Sequence, residues 1–259
     1  MVRFPIGALE KCDTYVEAKT GVKIDRKSFE DWARSAHPQD EPFSLSKVAK
    51  AAGVSTSGFY LQAGRGQLDA GLIISYSRVV GLAPLGELIK FEQLQVFAGG
   101  REPNNAEVLS QVPAEAHMEE LVRRSRGKGA EPDVGPMPPA HALKRWLDCY
   151  DLWGKYDELA RAMGLASAKS LTRKIADSKI SVGELVDMVE YADLAPRFGL
   201  VVTGHLTLIE AGFDADLRES VLTASTSTEV VESLRPALRW FEKEEEAKSL
   251  TSEFYQNLG

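Results

Sequence analysis

The chain of 259 residues lacks the features that mark membrane, disulfide-rich and fibrous proteins. Its longest apolar stretches, such as residues 199–202, fall far short of the roughly 20 residues that span a bilayer. The first five residues do not begin the apolar core of a secretory signal. The two cysteines, Cys12 and Cys149, have neither CxxC nor Cys/His spacing, which argues against a disulfide framework and a zinc site. We therefore expect a globular cytoplasmic protein with no membrane partner.

The short motifs of common catalytic and cofactor chemistry are also missing. The chain has no HExxH, no GxSxG and no Walker-type glycine-rich loop that ends in lysine. Its histidines are scattered along the sequence: His37, His117, His141 and His205. We therefore predict that the protein is not an enzyme and uses neither a metal nor a cofactor.

The net charge of −7 argues against a general polyanion binder, because duplex DNA attracts clustered lysine and arginine. The acidic residues are unevenly placed, however. Four glutamates lie within residues 242–246, and three more lie within residues 115–120. The two segments that we consider below as DNA-contacting are locally neutral or basic.

Apolar residues recur at helical spacing on both sides of a region rich in glycine and proline. No run alternates apolar and polar residues long enough to indicate a sheet, so we predict an all-α fold. The glycines and prolines between Gly99 and Pro139 favour a linker, interrupted by a short helical-looking stretch that follows Asn105 and ends at Arg126. The predicted divisions are an N-terminal helix-turn-helix domain 1–98, a linker 99–139, a second helix-turn-helix domain 140–226 and a C-terminal helical segment 227–259.

The first motif is the segment from Ser46 to Tyr60, which predicts two short helices joined by a tight turn. Ala49 has to be small because the helices cross there at close range. Gly53 supplies the left-handed backbone that the turn requires. The apolar side chains predicted to fix the crossing are Val48, Val54 and Phe59.

The second motif, from Leu159 to Ile175, repeats this arrangement with one departure. Direct alignment places Ser170 where Phe59 packs in the first motif. We therefore predict a turn longer by one residue, followed by a helix over residues 168–176 that turns Leu171 and Ile175 inward. The residues predicted to match the first motif around the turn are Leu159, Ala160, Gly164 and Leu165.

At these motif positions the chain resembles the lambda-repressor-like, or Cro/XRE-type, helix-turn-helix family. The arrangement is most similar to regulators of temperate actinobacterial phages and their hosts, including immunity repressors that maintain lysogeny. The resemblance covers about half of the chain. It implies operator binding and transcriptional repression, but the motif positions are structural and do not indicate the target sequence.

The outer face of the second helix in the first motif is predicted to be nearly uncharged. Such a face offers hydroxyl and amide groups to bases or phosphates but adds little electrostatic affinity. Lys47 and Arg65, on neighbouring segments, are predicted to contact phosphates. The residues predicted to face DNA from this helix are Ser55, Thr56, Ser57, Tyr60 and Gln62.

The corresponding face of the second motif is predicted to be basic. The longer turn leaves Lys169, Thr172 and Arg173 together at helical spacing. Arginine pairs bidentately with guanine, whereas lysine contacts guanine or phosphate. The other residues predicted to contact DNA from this motif are Ser167, Lys174 and Lys179.

Two function classes follow from these patterns. We expect a sequence-specific transcriptional regulator that binds double-stranded DNA, with both motifs on one operator. The alternative is a helical protein-interaction module, such as an antitoxin-like or polymerase-binding adaptor, which the acidic balance of the chain favours. A candidate homodimer interface lies in the C-terminal segment at the apolar positions Val230, Leu234, Leu238 and Phe241.

Overall fold

The structure is a computed structural model that describes residues 22–66, 68–127, 129, 131–135, 138–139, 141–150, 152, 155–236 and 238. All regular elements in these ranges are helices. The closest approach to a strand is an isolated antiparallel bridge between Ile24 and Leu68. The all-α prediction is therefore confirmed for the described residues.

The first half of the chain forms five α-helices and one 3₁₀ helix. Their bounds are α1 Arg26–Ala36, α2 Leu45–Ala51, α3 Thr56–Gly64, α4 Gly71–Val79, α5 Pro84–Leu88 and the 3₁₀ helix Glu92–Ala98. Two further helices follow, α6 Asn105–Ser110 and α7 Ala114–Arg126. The second half contains α8 Ala142–Leu147, α9 Tyr156–Ala162, α10 Ala168–Ala176, α11 Val182–Ala192, α12 Pro196–Val202 and α13 Leu217–Ala224. Residues 227–236 are also helical.

Helices α2–α5, which we call the first unit, are repeated as helices α9–α12, the second unit. In both units the third helix ends in a left-handed residue, Gly81 in one and Asp193 in the other. The sequence Leu-Ala-Pro follows each time, and its proline, Pro84 or Pro196, begins the last helix of the unit. The likeness therefore extends over four helices rather than the two of each motif.

Residues 99–139 differ from the linker predicted for them. Their middle forms α6 and α7, and a capping box between Asn104 and Glu107 starts α6. The glycines and prolines of this range that the structure describes lie outside the two helices. Helix α13 packs on both α6 and α7. The apolar residues of this segment that are buried include Val108, Leu109, Val112 and Ala116.

The buried carboxylate of Glu107 joins this segment to the second half of the chain. It accepts hydrogen bonds from the indole of Trp146 at 2.9 Å and from the Tyr150 hydroxyl. The guanidinium of Arg101 forms an ion pair with it. A fully buried carboxylate is stable only when donors surround it in this way, so the cluster fixes α6 against α8.

The two units belong to one continuous hydrophobic core. A Cβ added at Gly100, which precedes α6, would lie 2.6 Å from the ring of Pro196 in α12. Arg78 of α4 forms a bidentate ion pair with Glu210, with both N–O distances at 2.7 Å. The shared core and this ion pair therefore hold the first unit against the second half of the chain.

The C-terminal apolar stripe is used mostly within the chain. Val230 and Leu234 are buried, and Val230 packs against the apolar cluster of α6 and α7. Leu238 is exposed, whereas Phe241 lies outside the described residues. The dimer interface predicted from this spacing is therefore wrong for Val230 and Leu234, because intramolecular contacts already cover them. Across the described part of the chain, none of the helices is both long and apolar enough to cross a membrane.

Candidate nucleic-acid interface

Helices α2 and α3 form the hairpin predicted for the first motif. Gly53 has a φ of +78°, and the amide of Val54 donates to the carbonyl of Ala49 at 2.9 Å. This bond is that of a Schellman turn, which ends a helix at a left-handed glycine. Ala49 and Phe59 are fully buried at the crossing. The Ser55 hydroxyl then accepts the Gly58 amide and starts α3.

Helices α9 and α10 repeat this backbone geometry with the predicted longer turn. Gly164 has a φ of +66°, and the Leu165 amide donates to the Ala160 carbonyl at 2.8 Å. One more residue separates this turn from the N-cap, Ser167, than in the first motif. Leu171 and Ile175 are buried, as predicted. The structure therefore confirms the local arrangement of the second motif.

The outer face of α10 presents two positive charges. Lys169, Thr172 and Arg173 are all exposed, and the Thr172 hydroxyl donates to the Ala168 carbonyl of its own helix. Within the described residues, neither Lys169 nor Arg173 forms an ion pair. They lie one helical turn apart, so their charged groups reach the same side of the helix. This pair gives the outer face of α10 a local positive charge.

Lys174 and Lys179 do not join this face. The ammonium of Lys174 lies 2.9 Å from a carboxylate oxygen of Glu184, the residue that completes the capping box of α11. Lys179 lies 3.3 Å from Asp177. Lys174 is one position beyond Arg173, and this step of about 100° turns it toward α11. Lys174 is therefore held in an intramolecular ion pair rather than beside Lys169 and Arg173.

The N-terminus of α10 already has an anionic partner. Ser167 caps the helix through the Ser170 amide, and a carboxylate oxygen of Asp157 lies 3.4 Å from the Ala168 amide. A carboxylate at this end interacts favourably with the helix dipole and competes with a phosphate for the same amides. Electrostatic attraction on this motif therefore comes from Lys169 and Arg173.

The outer face of α3 is more apolar than the sequence analysis predicted. Ser57 is exposed, and so are Tyr60 and Leu61, at 42% and 56% of their surfaces. Leu61 was missed, although its position four residues after Ser57 places it on the same side of the helix. The guanidinium of Arg26 lies 5.7 Å from the centre of the Tyr60 ring. Helix α3 itself presents no charged side chain on this face.

The remaining predicted residues of the first motif point in different directions. Thr56 is half-buried, whereas Lys47 and Arg65 are exposed beside the hairpin. The side-chain oxygen of Gln62 is buried against the body of the protein. Its side chain lines a cavity next to α4, away from Ser57. The structure therefore does not bring Gln62 onto the outer face of α3.

Neither a metal site in the described residues nor a match to a known protein indicates the function. In the described part of the chain, no group of three or more histidine, cysteine, aspartate or glutamate residues is placed to hold a metal ion. No protein-family model, curated protein or solved structure matches this chain. The two motifs and their outer faces are therefore the features of the chain that bear on its function.

Proposed function

We propose that the protein is a sequence-specific transcriptional regulator of the phage-repressor type that binds double-stranded DNA through α10. The observation that carries this proposal is the exposed pair Lys169 and Arg173, one turn apart and without an acidic partner in the described residues. The helix that bears them is held by a helix-turn-helix backbone, a geometry that places such a helix in a major groove.

The two side chains have different roles in this proposal. Arg173 donates two parallel hydrogen bonds to O6 and N7 of a guanine, which supplies sequence preference. Lys169 neutralises a phosphate and releases a counterion, which supplies affinity without preference. Because the net charge of −7 gives the protein no general attraction for DNA, DNA affinity depends on this local pair of positive charges.

The first motif contributes a weaker contact on the same operator. Ser57 and Tyr60 offer hydroxyl groups, while Lys47 and Arg65 reach phosphates at its sides. The two units differ on their outer faces and are packed into one core. A single chain therefore covers an asymmetric site with one preferred spacing between the two contacts, rather than a palindrome.

In vitro selection tests this proposal with the full-length chain and a random pool of duplex DNA. The selected sequence is then titrated by fluorescence anisotropy with the native protein, Arg173→Ala and the matched control Arg126→Ala. Arg126 is exposed at the end of α7, so its variant makes the same charge change elsewhere. Arg173→Ala should weaken specific binding by about 1–3 kcal/mol and relax the preference at one base pair. Failure to enrich any sequence, or equal losses in both variants, would overturn the proposal.

The second candidate, a protein-interaction module, is favoured by the exposed aromatic and aliphatic side chains of α3. Tyr60 and Leu61 together offer an apolar contact of the kind found at the centre of protein interfaces. Leu61→Lys separates the two functions. An added cation beside DNA should tighten binding of the selected duplex, whereas a face that docks protein should leave DNA affinity unchanged.

A further inference from the structure

Residues 22–26, which lead into α1, lie between the two units. A Cβ added at Gly183, in the first turn of α11, would lie only 2.5 Å from the Val22 carbonyl oxygen. Two residues later, Ile24 and Leu68 exchange backbone hydrogen bonds, both with N–O distances of 3.3 Å. Leu68 lies just after α3. The segment therefore runs from the start of α11 in the second unit to the end of α3 in the first.

The two ends of this segment also lead to the outer helices of the motifs. The guanidinium of Arg26 lies 5.7 Å from the centre of the Tyr60 ring on the outer face of α3. At the other end, the start of α11 contributes Glu184, whose carboxylate lies 2.9 Å from the ammonium of Lys174 on α10. A chain of direct contacts therefore leads from the face of α3, across residues 22–26 and the start of α11, to α10.

The segment presents positive charge to solvent. Lys23 and Arg26 are exposed, and neither forms an ion pair within the described residues. The carboxylate of Asp25 accepts the Ser28 amide at 2.9 Å, so it is held at the positive end of the α1 dipole. Hydrogen bonds from the side chain and the backbone of Ser28 lower the pKa of Asp25. Two cations therefore stand beside one anion that the helix already binds.

Neighbouring cations are used differently. Arg34, near the other end of α1, lies 3.2 Å from the Glu30 carboxylate. Lys90 lies 2.6 Å from the carboxylate of Glu87. Cations without such partners remain available to an external polyanion, which they bind with release of its counterions.

We propose that Lys23 and Arg26 bind the phosphate backbone of duplex DNA between the two motif contacts. This inference rests on the proposed function, because it requires one duplex to lie across both motifs. A duplex whose grooves receive α3 and α10 passes over the surface that joins them, and residues 22–26 form part of that surface. Phosphate contacts there add affinity without sequence preference and fix the position of the duplex relative to both motifs.

Hydroxyl-radical footprinting of the full chain on the selected duplex tests where these contacts lie. The native protein should protect the sugars between the two motif contacts. The double variant Lys23→Gln/Arg26→Gln should lose that protection, while protection by α10 returns at a higher protein concentration. Its slope of log K against log salt should be smaller in magnitude by up to about 1.8, since each lost phosphate contact removes about 0.9.

A matched control makes the same charge change outside this segment. The double variant Arg34→Gln/Arg126→Gln removes two exposed positive charges, one near the end of α1 and one at the end of α7. It should keep the native footprint and the native slope. Thermal melts of both double variants check that each folds as the native protein does.

The α10 variant Lys169→Ala/Arg173→Ala separates this inference from the proposed function. A reduced slope in that variant, with native footprint and slope in Lys23→Gln/Arg26→Gln, would overturn the role of residues 22–26 but not DNA binding. Equal losses in the matched control would overturn that role as well. A native protein that protects no DNA would overturn both proposals.

Discussion

The two helical hairpins, α2–α3 and α9–α10, share a backbone geometry but not an outer face. Both end their first helix with a left-handed glycine, Gly53 or Gly164, and both start the second with a serine cap. Outward, α3 presents Tyr60 and Leu61, whereas α10 presents Lys169 and Arg173. Turn geometry and packing restrict the residues that face inward. The outward residues carry no such restriction, so we expect any difference in function between the two motifs to come from them.

The first prediction tests whether both motifs require a small residue where their two helices cross. Ala49 and Ala160 are 0% and 1% exposed at the helix crossings. Ala49→Leu and Ala160→Leu should each lower the free energy of unfolding by about 3 kcal/mol, because the added side chain forces packed helices apart. Chemical denaturation followed by circular dichroism measures the loss. An unchanged transition in either variant would mean that its hairpin is not packed at this point.

The second prediction concerns equivalent glycines at the start of the third helix in each unit. A Cβ on Gly183 would lie 2.5 Å from the Val22 carbonyl oxygen, whereas a Cβ on Gly71 would lie 3.4 Å from an Asp69 side-chain oxygen. Gly183→Ala should therefore destabilise the protein by about 2 kcal/mol. Gly71→Ala should be neutral or stabilising by up to about 1 kcal/mol, since alanine favours a helix. Thermal melts that shift equally would contradict this difference between the units.

The third prediction separates two neighbouring lysines of α10. Lys174→Ala removes the partner of Glu184 and should cost roughly 0.5–1 kcal/mol of stability, with little effect on DNA affinity. Lys169→Ala should do the reverse, because Lys169 has no acidic partner in the described residues. Denaturation and anisotropy titrations on the same samples provide both values. A larger loss of DNA affinity in Lys174→Ala would show that the ion pair opens on binding.

Local signals explain what the sequence predicted well. The longer second turn and the bounds of α10 depend on Gly164, Ser167 and the inward spacing of Leu171 and Ile175, which all lie within about twenty residues. Such signals act on the backbone near their own position. The same holds for the Schellman turn at Gly53.

Tertiary contacts explain what the sequence did not predict. The ion pair of Lys174 requires that α11 lie beside α10, and the burial of Val230 requires the cluster of α6 and α7. Neither neighbour is visible in the spacing of the residue itself. The helical stretch expected after Asn105 is two helices, α6 and α7, separated by a turn at residues 111–113.

The salt dependence of DNA binding measures whether Lys169 and Arg173 supply the attraction to DNA. The native protein, the double variant Lys169→Ala/Arg173→Ala and the double variant Ser57→Ala/Tyr60→Ala are titrated with the selected duplex at several salt concentrations. Each lost phosphate contact lowers the slope of log K against log salt by about 0.9. We expect a clearly smaller slope and weak binding for the α10 variant, whereas the α3 variant should retain the native slope. Native slope in the α10 variant would contradict the assignment of DNA binding to Lys169 and Arg173.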